Sequence, residues 1–249
     1  MDPAIRPSAS QLAATLESQA IVAQVDRPTL ANGAQCVTMF LGLDNRSLLP
    51  PFLPSLWSED VLFGRLLRRC KPDAYAAELP FLLVHDPPGE RDVSLSVQVE
   101  QVGVEFAYLL GDLLESVELG VYSSVAARMR ALAMYLVELG EANSREFCET
   151  CRLQFLGRTA ARLERIERGL RSARRAPRLW VESAERRLRA LKAAAVDDQA
   201  WIPFDLRWGR TADEAAVLAQ SLTMRFGRLL LAWPAIWEAA RRMDWPGGS

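Results

Sequence analysis

The residues of this chain that could do chemistry concentrate between positions 40 and 88. An adjacent acidic pair, Glu59 and Asp60, follows a proline-rich loop and opens a segment with helical apolar spacing. The one histidine of the sequence, His85, follows later at the end of a short apolar run. A carboxylate can remove a proton from an attacking hydroxyl, and a neutral imidazole can contact phosphate or bind a metal. These side chains are therefore the first candidates for a functional site.

Each candidate also has a purely structural interpretation. Acidic side chains are favoured in the first turn of a helix because they complement the helix dipole, which would account for Asp60. A histidine at a strand end is commonly a hydrogen-bonded structural residue. A lone histidine without neighbouring cysteines or aspartates is a weak signal for a metal, so both interpretations of His85 stay open.

Two cysteines, Cys148 and Cys151, have the spacing of a redox or zinc motif. The sequence has no second C-x-x-C, and its histidine lies far upstream. Positions three apart share a face of a helix, so the pair is predicted to be two small core residues. Four cysteines without a secretory signal indicate reduced thiols and a cytoplasmic protein.

The composition and charge of the chain argue against several classes of protein. Half of the residues are hydrophobic and about a quarter are charged, as in globular proteins. A net charge of −1 predicts no global attraction to nucleic acid or to a membrane surface. No apolar run reaches the roughly 18 residues of a membrane span. Residues 152–189 are rich in arginine, but the glutamates between them are typical of a solvated helix face.

The elements that would position the candidates form an α+β pattern up to about residue 92. A buried strand is predicted at 35–43, then a proline-rich loop. Ser58 is predicted to cap the helix that Glu59 and Asp60 open, and Lys71-Pro72 to stop it. A second strand is predicted at 79–84, and a short helix at 13–24.

Helical periodicity dominates the rest of the chain. Apolar stripes predict helices over 102–117, 125–139, 147–170 and 179–195, with Gly140 closing the second. A loop rich in tryptophan and proline should follow at 197–209. Thr211 and Glu214 have the spacing of a capping box, so a last helix should begin there and run to Leu231, where Pro234 would kink or restart it.

The stretch from 35 to 88 resembles the acceptor-side half of bacterial GT-A-fold glycosyltransferases of the inverting family 2 type. Residues 59–64 (EDVLFG) match that family's acidic-pair helix, and residues 79–85 (LPFLLVH) match its strand ending in histidine. The resemblance implies that Asp60 is the catalytic base, with Glu59 beside it. It also implies that His85 lies next to the donor diphosphate and its metal.

The same resemblance implies a division of the chain and a set of partners. Residues 1–92 would be a partial GT-A-like segment, and residues 93–249 a helical accessory domain. The nucleotide-binding half of the family, which ends in a D-x-D motif, has no counterpart before residue 35. A divalent metal, Mn²⁺ or Mg²⁺, is therefore expected only together with that half, and none is expected to bind this chain alone.

Two functional hypotheses follow. In the first, Asp60 activates an unknown acceptor to attack a nucleotide-sugar donor with inversion. In the second, the protein is a non-catalytic helical interaction module that carries a remnant of the transferase fold. A protein partner would then bind through the helical region, and no nucleic acid is expected to bind.

Overall fold

The computed structural model describes residues 25–31, 41–54, 56–80, 102–120, 122, 124–172 and 176–243. This part of the chain is mainly helical with one small sheet, consistent with the predicted α+β class. Strands β1 (Thr29–Ala31) and β2 (Ala76–Glu78) pair antiparallel, with Thr29 opposite Glu78. The helices of these ranges are α1 (Glu59–Cys70), α2 (Phe106–Glu115), α3 (Val125–Glu141), α4 (Ser144–Ser172), α5 (Arg178–Val196) and α6 (Ala212–Arg241).

The strands differ from those expected from the sequence. Positions 41–43 and 79–80 are irregular, and the remaining positions of the predicted strands 35–43 and 79–84 lie outside the described residues. The predicted helix 13–24 also lies outside them. The sheet that does form is short and largely exposed at β1 and β2. The GT-A-like α/β arrangement therefore stays a prediction.

Helix α1 has the predicted limits. It begins at Glu59, and at its end the Lys71 amide donates to the Leu67 carbonyl oxygen at 2.7 Å just before Pro72. Leu62, Phe63, Leu66 and Cys70 are buried along one face, and the ring of Phe63 stacks on Phe52 with a centroid distance of 4.1 Å. Apolar burial at helical spacing is thus what holds α1 in place.

One hydrophobic cluster joins the described residues on both sides of position 92. It takes Leu62 and Leu66 from α1, several leucines from α2 and α3, and Phe226 and Leu230 from α6. The predicted division into 1–92 and 93–249 stays a prediction, because positions 81–101 lie outside the described residues. Residues 53–70, however, pack into the same core as the helices that follow.

Glycines allow α3 and α6 to approach backbone to backbone. A methyl group on Gly140 would lie 2.8 Å from the backbone N and Cα of Met224, and one on Gly227 would lie 2.9 Å from the Ala133 carbonyl oxygen. Helix α3 ends at Glu141, within one residue of the predicted end at Gly140. Gly140 is also needed for the packing of α3 against α6.

Helix α6 begins as predicted and ends later than predicted. Thr211 Oγ1 accepts from the Glu214 amide at 3.3 Å, and the Glu214 carboxylate accepts from the Thr211 amide at 2.8 Å, which completes the capping box. The helix passes Leu231 and includes Pro234. Its second half is held by the proline-rich loop, since Trp233 Nε1 donates to the Leu49 carbonyl oxygen at 2.7 Å.

Helices α4 and α5 form a hairpin that is attached to the core at one end only. The buried residues of α4 are Phe147, Cys151, Phe155 and Thr159, none of them beyond the middle turn of the helix, and those of α5 are Leu191 and Ala194, in its last third. Near the connection, Trp180 covers Gly169 at 3.5 Å from the position of an added methyl group. The described residues between these two attachments are therefore only half-buried or exposed.

Candidate functional site

The acidic pair lies at the start of α1 and contributes to that helix end. The Asp60 carboxylate accepts a hydrogen bond from the Val61 amide at 2.7 Å, and both Glu59 and Asp60 are half-buried. Acids in this position stabilise the helix through its dipole. The geometry is therefore that of the structural interpretation, and a catalytic role for Asp60 stays a prediction.

Ser58 precedes the helix but does not cap it with its side chain. Its backbone is left-handed, with φ of 59°, and its hydroxyl donates to the carboxylate of Glu105 instead of accepting from an α1 amide. Ser58 is thus the N-cap residue of α1, as predicted, but it makes no side-chain cap because a tertiary partner takes its hydroxyl. This bond brings the first turn of α1 next to the start of α2.

The start of α2 is capped from a distant part of the chain. Asp205, in the short 3₁₀ helix Phe204–Leu206, accepts a hydrogen bond from the Phe106 amide at 3.0 Å. Its other carboxylate oxygen is buried and has no partner among the described residues. Burial raises the pKa of Asp205, and the nearby Glu105 adds to this. The side chains of Ser58, Glu105 and Asp205 therefore order two helix starts.

His85 lies outside the described residues, as do the positions on either side of it. The roles that the resemblance gives it, contact with the donor diphosphate and with a metal, stay predictions. Within the described ranges, no group of three or more His, Cys, Asp or Glu side chains is placed to hold a metal ion.

The cysteines occupy the environment predicted for core residues. Cys151 is fully buried and Cys148 is half-buried against the same hydrophobic cluster. Burial raises the pKa of both thiols, and it raises that of Cys70 to about 12. A thiol that keeps its proton is a poor nucleophile, so the packing indicates a structural role for these three cysteines.

A half-buried cluster of arginines around Asp112 is the most highly organised polar feature of the described residues. Arg65 on α1 donates to Asp112 Oδ1 at 2.6 Å, and Arg158 on α4 donates to Asp112 Oδ2 at 2.9 Å. Both guanidinium carbons lie over the ring of Tyr108, at 5.4 and 4.6 Å from its centroid. The exposed fractions of the three charged side chains are only 12 to 18%. One carboxylate on α2 thus ties α1 to α4.

Further positive charge surrounds this network. Arg162, one turn along α4 from Arg158, donates no hydrogen bond within the described part of the chain. Burial lowers its pKa, and repulsion from Arg158 and then from Arg187 on α5 lowers it further. Arg65 also reaches Glu115, at 3.6 Å. Two guanidinium groups, those of Arg65 and Arg158, thus pair with two carboxylates at this cluster.

The hairpin is strongly basic as a whole. Residues 152–192, here called the basic hairpin, contain 13 of the 30 basic residues of the chain and 4 of its 31 acidic ones. Its formal charge is therefore +9, and the remainder of the chain carries −10. The sequence interpretation missed this segregation, because it relied on the total of −1 and on the alternation of glutamate with arginine. A running sum of charge along the sequence would have found it.

Comparison of the chain with protein-family models, with curated proteins and with solved structures gives no match. The resemblance to family 2 glycosyltransferases accordingly stays a prediction that rests on residues 35–88. Among the helices that the structure describes, none is both long and apolar enough to cross a membrane.

Proposed function

We propose that this protein is a helical interaction module that binds an acidic protein partner through its basic hairpin. The observation that carries this proposal is the separation of charge: +9 on residues 152–192 against −10 on the remainder. The hairpin is fixed to the core at one end, so much of its length is available to a partner. Arginine is also enriched at protein interfaces relative to the rest of the surface.

Part of this positive charge is not neutralised within the hairpin. The acidic residues are largely paired: Glu164 with Arg168, Glu167 with Lys192 and Glu182 with Arg178. The following arginines have no ion pair among the described residues: Arg165, Arg171, Arg186 and Arg189. Carboxylates of a partner could pair with them. Leu153, with 68% of its surface exposed beside Arg152, offers an apolar contact within the same surface.

A protein partner fits this surface better than a nucleic acid does. Four glutamates lie among the arginines, and each would repel the closely spaced phosphates of a duplex. An acidic protein surface can instead place its own basic residues against those glutamates. The −10 of the remaining chain also opposes the approach of a long polyanion, although salt screens this repulsion beyond roughly 8 Å at physiological ionic strength.

The test uses two acidic probes of matched total charge, a glutamate-rich peptide with interspersed lysines and a DNA duplex. Wild-type protein should bind the peptide at low ionic strength, and affinity should fall as salt is added. R165E/R189E should weaken peptide binding at least about tenfold, or about 1.4 kcal/mol. The control R130E/R225E makes the same change of charge at exposed positions of α3 and α6 and should change the affinity by less than about twofold.

Two results would contradict the proposal. Equal weakening by both double variants would mean that only total charge matters. Tighter binding of the duplex than of the peptide would assign the hairpin to nucleic acid instead. Circular dichroism of each variant checks that the helices are retained.

The transferase hypothesis has a separate test. Its support is the half-buried acidic pair, Glu59 and Asp60, at the start of α1. Incubation of the protein together with a nucleotide-binding half, a panel of nucleotide sugars and Mn²⁺ should release nucleoside diphosphate. D60N should reduce that turnover by roughly 10²–10⁴-fold, because the amide cannot act as a base. Equal turnover by D60N and wild type would remove the base assignment.

A further inference from the structure

The protein has an acidic region whose charge is opposite to that of the basic hairpin. Residues 138–149 and 197–214, here called the acidic end, contain nine acidic and three basic residues, so their formal charge is −6. The two segments are in contact, because the rings of Phe147 and Trp201 pack edge to face with a centroid distance of 6.2 Å. Arg152 at the start of the hairpin pairs with Asp198 at 2.7 Å. The acidic end therefore lies beside the attached end of the hairpin.

Several side chains of this region are available to a partner. Glu138, Asp197 and Asp213 are exposed and form no ion pair among the described residues. The ring of Trp208 is exposed as well, at 89% of its surface, and so is the adjoining Val196, at 81%. Carboxylates bind guanidinium groups through charge-assisted hydrogen bonds, and an indole ring attracts them to its face. The acidic end thus offers both kinds of group that recognise arginine.

The acidic end cannot reach the far part of its own hairpin. Helix α4 is continuous and rises about 1.5 Å per residue, so Arg165 lies about 24 Å along it from Glu149, and Arg171 about 33 Å. The shorter distance is already about three Debye lengths at physiological ionic strength. Both arginines are exposed. Carboxylates of an acidic end can therefore contact these two arginines only from another copy of the chain.

We propose that the acidic partner of the basic hairpin is a second copy of this chain, which docks its acidic end on the hairpin. This inference rests on the proposed function, because it names the partner of the same surface. The charges are complementary, +9 on the hairpin against −6 on the acidic end. The exposed Arg210 of the acidic end can also pair with Glu185, an exposed glutamate of the hairpin that has no ion pair within the described ranges.

The experiment is sedimentation velocity of the intact protein. At low ionic strength wild type should associate with itself with a Kd below about 100 μM, and the association should weaken as salt is added. The acidic-end variant, E138K/D213K, reverses two exposed carboxylates, and the hairpin variant, R165E/R189E, reverses two exposed arginines. Each should weaken self-association about tenfold or more.

Two controls separate the docking of these surfaces from total charge and from misfolding. D73K/E118K makes the same change of charge as the acidic-end variant at exposed positions outside the acidic end, and should stay within about twofold of wild type. The hairpin variant keeps an intact acidic end, and the acidic-end variant keeps an intact hairpin. An equimolar mixture of these two variants should therefore associate, although each alone does so weakly.

Three results would overturn the inference: wild type that is monomeric at about 100 μM and low ionic strength, a mixture of the two variants that does not associate, or a D73K/E118K control as weakened as the acidic-end variant. The glutamate-rich peptide distinguishes this failure from that of the proposed function. At protein concentrations well below the self-association Kd, the acidic-end variant should bind the peptide as tightly as wild type does, because its hairpin is unchanged. Peptide binding without self-association would refute only the second copy as partner, whereas wild type that does not bind the peptide would refute the proposed function.

Discussion

Substitution of Gly140 by alanine should destabilise the protein, although alanine is the better helix former. The added methyl group would lie 2.5 Å from the Cβ of Met224 and 2.8 Å from its backbone N and Cα. Comfortable carbon–carbon contacts are about 3.5–4.0 Å, so α3 and α6 would have to separate locally by about 1 Å. Backbone atoms cannot rotate away as a flexible side chain can.

The magnitude follows from two opposing effects. Overpacking of a tight interior costs about 1–3 kcal/mol and sometimes more. Replacement of a helical glycine by alanine stabilises the helix by up to about 1 kcal/mol. We therefore expect G140A to lower the free energy of unfolding by about 1–2 kcal/mol.

A matched control lies in α4. Gly157 is an exposed helical glycine with no atom within 4 Å of an added methyl group. G157A should therefore stabilise the protein by up to about 1 kcal/mol, because only the helix-propensity effect operates. The two variants should thus have effects of opposite sign, measured by urea unfolding followed by far-ultraviolet circular dichroism. If G140A is as stable as G157A, the close approach of α3 and α6 at Met224 is refuted.

Three further predictions concern charged and capping residues. D112N should lower the free energy of unfolding in urea by roughly 3 kcal/mol, because it leaves two half-buried guanidinium groups without their carboxylate. E149Q removes the charge of an exposed pair and should leave that free energy nearly unchanged. Equal effects of the two substitutions would contradict the stabilising role of the Asp112 network. Burial raises the pKa of Asp205 above its ordinary 3.8, so the folded state binds the carboxyl proton more tightly than the unfolded state does. The stability that this proton contributes is therefore present below pH 3.8 and is lost as the pH rises through the pKa of the folded state. D205N should remove this slope while keeping an acceptor for the Phe106 amide, and identical pH profiles of unfolding would refute the assignment. T211A should cost about 0.5–2 kcal/mol through loss of the α6 cap, and an unchanged melting temperature would contradict it.

Apolar spacing and capping residues predicted the helices well, because the interactions that set where a helix begins and ends are between residues close in sequence. Apolar spacing placed α1 and α3 to α5 within a few residues of their observed bounds, and the Thr211 capping box gave the start of α6. Such signals depend on residues three or four positions apart, which a sequence displays directly.

The predictions from sequence are incomplete where a residue contacts a partner that is distant in the chain. Gly140 looked like a helix end, yet its role depends on Met224. Pro234 looked like a helix break, yet Trp233 beside it is anchored to Leu49 in the proline-rich loop. Ser58 is the predicted N-cap residue of α1, yet its hydroxyl bonds to Glu105 rather than to an α1 amide. None of these partners lies at a spacing that local patterning can detect.

The proposed function has one physical origin, the concentration of arginine on a hairpin that packs against an otherwise acidic protein. Only the hairpin end that meets the core can use carboxylates of the core, and there Asp112 on α2 neutralises part of the charge of Arg65 and Arg158. Farther along the hairpin the core is out of reach, so its charge must be balanced by glutamates within the hairpin, by solvent ions or by a partner. Charge left unpaired along that exposed length favours an extended acidic surface as the ligand. The position of an arginine along α4 therefore determines whether a carboxylate of the core or one of a partner can neutralise it.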